Sequence, residues 1–167
     1  MRVVSRIAVL GLVAVVVALC SAAVAHATEP SRFEFDFQVS DTIDCSAFNP
    51  AWTFNDNFTD FFHVRGEDVF DADGNLLREI LHVQHMSNDV NSVTGFTLHE
   101  HNNYLVTLDF VAGTITFDGA SNIMQRRGVG SVIQNTGHKV GDLQTGEPIT
   151  VAGPTKATDQ DFCAAIA

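Results

Sequence analysis

Phe33-Glu34-Phe35-Asp36-Phe37-Gln38-Val39 alternates without a break between large apolar and polar side chains. Successive side chains of a strand point to opposite faces, so a period of two marks a half-buried β-strand. The pattern recurs along the chain. Phe96, Leu98, Tyr104, Val106, Leu108 and Phe110 share one parity, and Thr97, His99, His101, Asn103, Thr107 and Asp109 hold the other. Trp52 to Val64 reads as one or two strands with a break near Asn55-Asp56-Asn57, and Leu76 to Met86 as another. Thr114-Ile115-Thr116-Phe117 runs back after a turn at Val111-Ala112-Gly113. Ile123 to Gln125, Val129 to Gln134, Lys139 to Leu143 and Pro148 to Ala152 are shorter candidates, punctuated by glycines.

Turn chemistry supports the same class. Asp73-Gly74 between apolar flanks is a hairpin signal, because glycine supplies the positive φ of a tight turn. Asp71, Asp73 and Gly74 would also suit positions of a calcium loop, but Val69 and Ile80 then fall where acidic oxygen ligands are required, so the segment is a turn. Only the tail, Asp159 to Ile166, has helical character, with acidic residues in its first turn and Thr158 or Asp159 as the cap. Together these features predict an all-β fold: a single antiparallel up-and-down β-barrel of about eight strands with a short C-terminal helix, the alternative being a β-sandwich.

The ends of the chain bear on compartment. Arg2 and Arg6 precede an apolar run from Ile7 to Leu19, which is followed by Ala25-His26-Ala27. That order is a secretory signal peptide over residues 1–27, with residues 28–167 forming a single β domain outside the cell. The run is shorter than the roughly 20 apolar residues of a membrane-spanning helix, so no membrane association is expected after cleavage. Leu19 before Cys20 does not suit a lipoprotein signal. With both signal arginines gone, seven basic residues face 20 acidic ones, a net charge near −13. Such a surface repels phosphate backbones, so nucleic-acid partners are excluded.

Cys45 and Cys163 remain. In an oxidising compartment they pair most simply with each other and close the domain; two unpaired thiols or a bond between chains are the alternatives. A loop this long is worth roughly 4.7 kcal/mol in the chain-entropy account.

Phe70-Asp71-Ala72-Asp73-Gly74-Asn75-Leu76, the run from Val106 to Thr116 and the tail Phe162-Cys163-Ala164-Ala165 resemble those of uncharacterised secreted actinobacterial proteins with a small β domain. The architecture is also similar to calycin and allene-oxide-cyclase or dirigent-type barrels. The resemblance implies a fold and no activity.

Histidines supply the only concentration of chemistry. His82, His85, His99 and His101 fall within twenty residues. His99 and His101 share a strand face, the spacing at which two imidazoles can take one divalent transition metal, with His82 as the third ligand if it lies opposite them across a Ser87–Gly95 hairpin. That requires the odd-numbered side of Leu76–Met86 to be buried, and a one-residue slip abolishes the cluster. In the favourable register His85 points the other way, to the core side with Glu100. Glu100, His85 and Tyr104 are then the candidate acid and base residues of a cyclase or isomerase. No G-x-S-x-G elbow is present, since Gly128-Val129-Gly130-Ser131-Val132 has the wrong spacing. The first expectation for function is binding of a small apolar ligand, or of a protein partner, without a cofactor. The 13 phenylalanines motivate it.

Overall fold

The computed structural model describes residues 30–167, so the proposed signal peptide and Cys20 lie outside the described residues. The chain is all-β. β1 (Ser31–Asp44) leads through a single 3-10 turn at Cys45–Ala47 to β2 (Asn55–Phe70), β3 (Leu76–Asn91), β4 (Thr97–Asp109), β5 (Thr114–Arg126), β6 (Gly130–Asp142), β7 (Pro148–Ala152) and the two-residue β8 (Thr155–Lys156); α1 (Asp159–Ile166) ends it. Eight antiparallel strands form one sheet, β1 to β7 in sequence order and β8 off that path, paired with β6. The expected up-and-down order and C-terminal helix are therefore present. Among the described residues no ladder joins β1 to β7, so the sheet is not closed by hydrogen bonds into a barrel.

Strand lengths depart from the sequence reading in an informative way. Asn55-Asp56-Asn57 starts β2 instead of interrupting it, and Ser87–Asn91, polar and turn-like in sequence, is the end of β3. Ser87, Asp89 and Asn91 are buried there, on the same face as Leu81 and Val83. β5 and β6 each absorb two shorter candidates.

Three hairpins use one device. In Asn91-Ser92-Val93-Thr94-Gly95, Asp109-Phe110-Val111-Ala112-Gly113 and Asp142-Leu143-Gln144-Thr145-Gly146 the leading side-chain oxygen accepts from the backbone N–H groups two and three residues on. The closing glycine has φ of 70°, 66° and 72° respectively, a left-handed conformation that a Cβ disfavours.

The buried face divides into layers. Val64, Leu81, Val83, Tyr104, Val106, Leu108 and Ile115 form one apolar cluster. Leu98, Met124, Val132 and Ile133 form a second with Phe162, Ala165 and Ile166 of α1. Thr158 caps the helix through a reciprocal pair with Asp161. Cys45 and Cys163 are joined, with Cα atoms 5.5 Å apart, which ties α1 to the end of β1. Asn91 Nδ2 donates to Ile166 O (3.1 Å), and Arg126 donates to the carbonyls of Ala165 and Ala167 (3.2 Å each). No helix among the described residues is long and apolar enough to cross a membrane.

Candidate functional site

Between the two apolar clusters the buried face is polar. Register puts Phe62 opposite His85 and His85 opposite Asn102, while the adjacent row runs Asp60, Ser87, Glu100, Met124. Asp60, His85 and Glu100 are 7%, 4% and 6% exposed, so charge here is nearly dry. His85 Nε2 lies 3.3 Å from Asp60 Oδ1, and Nδ1 lies 3.4 Å from Glu100 Oε1 and 3.2 Å from the carbonyl of Ser121. A carbonyl oxygen only accepts, so Nδ1 donates to Ser121, and the carboxylates beside the two ring nitrogens favour a proton on each of them. Burial alone would lower the His85 pKa. The Asp60 hydrogen bond and the charges of Glu100 and Asp60, with the Ser121 carbonyl, overcome it and raise the pKa.

Burial raises Glu100, and the His85 charge and the hydrogen bond from Asn122 pull it back only in part. Asn122 Nδ2 donates to Glu100 Oε1 at 2.9 Å. Tyr104, two inward positions along β4 from Glu100, has its phenol pKa raised by burial first and then by the charges of Asp60 and Glu100. Glu100, His85 and Tyr104 are thus brought together.

A bulge builds one side of this site. Ser121 is the extra residue of β5 relative to β6, and between Gly119 and Met124 β5 also holds one residue more than β4 holds between Tyr104 and Glu100. Its carbonyl accepts from His85, its hydroxyl donates to Asn135 O (3.1 Å), and Asn102 Oδ1 takes the N–H of Ile123 (3.1 Å) where the ladder is interrupted. Bulges re-aim backbone groups in this way.

On the other side lies a column of rings. Phe33, Phe35 and Phe37 alternate along β1 with centroids 6.0 Å apart. Phe37 stacks on Phe62 at 4.5 Å and 5°, and Phe62 on His85 at 4.5 Å and 9°. The phenylalanines are only partly buried, because β1 pairs with β2 alone.

The proposed metal cluster is not assembled. The favourable parity holds, and His82, His99 and His101 share the exposed face. However, His82 pairs with Leu105, His101 with Met86 and His99 with Asn88. His82 is therefore displaced by four residues from the position opposite His101, about 13 Å along the strand. The hairpin turns after Asn91, not after Met86, and that shift moves every partner. Among the described residues no group of three or more His, Cys, Asp or Glu is arranged to hold a metal ion. His63 and His138 make surface pairs with Asp36 (2.7 Å) and Asp118 (2.6 Å).

Asp60, Ser121 and Asn122 were not anticipated. The signal for Asp60 was present: it shares parity with Phe58, Phe62 and Val64, a carboxylate on an apolar face. Ser121 had none, because a bulge depends on both neighbouring strands. No protein family, curated protein or solved structure matches this chain.

Proposed function

We propose that this is a secreted binding protein for a small molecule with an apolar body and one polar group. The body lies along Phe33, Phe35, Phe37 and Phe62, and the polar group meets His85 and its carboxylates. The observation that carries this is the unbroken run of half-buried rings from the edge strand to His85. Rings in a filled core are covered on every side; these keep accessible apolar area beside a buried charged site, the combination that orients an amphipathic ligand. The disulfide and the acidic surface suit an extracellular setting.

The test is displacement of a fluorescent apolar probe, anilinonaphthalene sulfonate, by a long-chain fatty alcohol and the corresponding acid. Saturable binding is expected, with Phe37→Ala weakening it about tenfold, the loss of roughly one ring's burial. Phe61→Ala, on the outer face, is expected to leave it unchanged. Absence of saturable binding by the probe and by both ligands, or equal loss in both variants, refutes the assignment.

The convergence of Glu100, His85 and Tyr104 favours one further function for the same site, proton transfer of the cyclase or isomerase kind. Burial raises the Glu100 pKa, the direction that strengthens a carboxylate as a base, and His85 lies 3.4 Å away to share its proton. Solvent deuterium should enter a bound ketone at the carbon beside its carbonyl, and Glu100→Gln should stop it. Exchange at the uncatalysed rate in the native protein excludes catalysis of this kind.

A further inference from the structure

At the other end of the buried face, away from α1, Asp68 and Glu79 stand directly opposite each other in the β2–β3 ladder. They are 4% and 1% exposed. Opposed residues have Cβ atoms about 5 Å apart. Asp68 Oδ1 and Glu79 Oε1 are both buried without a hydrogen-bond partner, and neither side chain is in an ion pair among the described residues. The rest of the row is uncharged: Ser31 beyond Asp68, then Leu108, Ile115 and Gly141 on β4, β5 and β6. The nearest inward-facing charge, Lys139, is one row away opposite Phe117. Two carboxylates in such a place cannot both stay ionised, whereas a carboxyl and a carboxylate can bond to each other.

We infer that Asp68 and Glu79 hold one proton between them and form a proton-operated latch that keeps the hairpin end of β2 and β3 closed. The turn at residues 71–75 begins only three residues beyond Asp68, so loss of the proton sets two like charges against each other close to the end of the hairpin. Burial, and then the Asp68 charge, push Glu79 up to about 7, and burial raises Asp68. A carboxyl pKa raised by folding stabilises fully below its unfolded value of 4.5 and loses that contribution as pH rises through about 7. The latch is closed in acid and released in mild alkali.

Hydrogen exchange of amides 66–81 from about pH 4.5 to about pH 8.5, corrected for intrinsic rates, tests this in the disulfide-bonded chain. Native protection should fall by up to about tenfold per pH unit as pH rises from about 5 to about 7 and level off above that. Glu79→Gln, which supplies a permanent N–H donor to Asp68, should remove that dependence. The same dependence in both proteins overturns the inference. Should Glu79→Gln not fold, carboxyl-13C titration of the native protein decides: one glutamate titrating near 7 is expected, and none above about 5 overturns it. Calcium or magnesium that restores protection at high pH would make this a cation site and would equally overturn it.

Discussion

Replacing His85 by leucine tests the charge arrangement of the polar layer most directly. Leucine keeps much of the volume against Phe62 but removes the cation between Asp60 and Glu100, whose oxygens lie 3.3 and 3.4 Å from the ring nitrogens. A dry carboxylate without its partner takes up a proton instead of remaining charged. Holding Glu100 neutral at pH 7, against an ordinary value of 4.5, costs about 1.36 kcal/mol for each of 2.5 units, about 3.4 kcal/mol. That figure agrees with the roughly 3–5 kcal/mol lost when one partner of a buried pair is removed.

The pH dependence has a definite sign. His85 has a folded pKa raised above 6.5, so its contribution is complete below 6.5 and fades as pH rises through the folded value. At pH 5 protonating Glu100 costs under about 1 kcal/mol, so the deficit of His85→Leu should be about 2 kcal/mol smaller there than at pH 7. Urea denaturation of both proteins at the two pH values measures this. Adding Glu100→Gln to His85→Leu should recover most of the loss at pH 7, because the amide is neutral from the start. A deficit below about 1 kcal/mol at pH 7, or one that does not change with pH, would refute the assignment of a buried imidazolium between two carboxylates.

Two further outcomes follow from the architecture. Replacing Cys45 and Cys163 together by alanine should cost about 4–5 kcal/mol, since the bond closes a span of 118 residues; urea midpoints with and without reductant on the native chain give the same number independently, and a change under about 1 kcal/mol contradicts it. Gly66→Ala places a Cβ 2.0 Å from Phe33 Cζ, so the ring must leave its seat, at a cost of about 1–3 kcal/mol in thermal or urea unfolding. In a Phe33→Ala background the same methyl should cost little, and additive losses would show that the two residues do not compete for space.

Parity made part of the site legible. Glu100 sits among Leu98, Tyr104, Val106 and Leu108 on β4, and a charged residue on an apolar face must be buried with a partner. His85 and Glu79 share the inward parity of Leu81 and Val83 on β3 in the same way, but parity does not place Asp68 opposite Glu79. Parity carries no information about which strand residues meet. The turn-like composition of Ser87-Asn88-Asp89-Val90-Asn91 suggested that β3 ended at Met86. In the folded chain Ser87 donates to Asp89, and Asn91 binds both its own turn and the Ile166 carbonyl of α1. Those contacts come from outside the segment, and they extend the strand by five residues.

The sequence by itself determined the strand class and which residues of each strand share a face, and it favoured the sequential order and the Cys45–Cys163 pairing. Each of these follows from local period, turn chemistry or residue count. Only the tertiary structure decided the offset of β3 on β4, which separates His82 from His101, and the bulge at Ser121, which delivers a carbonyl to His85. Both are set by where polar groups find partners across neighbouring strands and on α1, a long-range balance of hydrogen bonding that no period of two records.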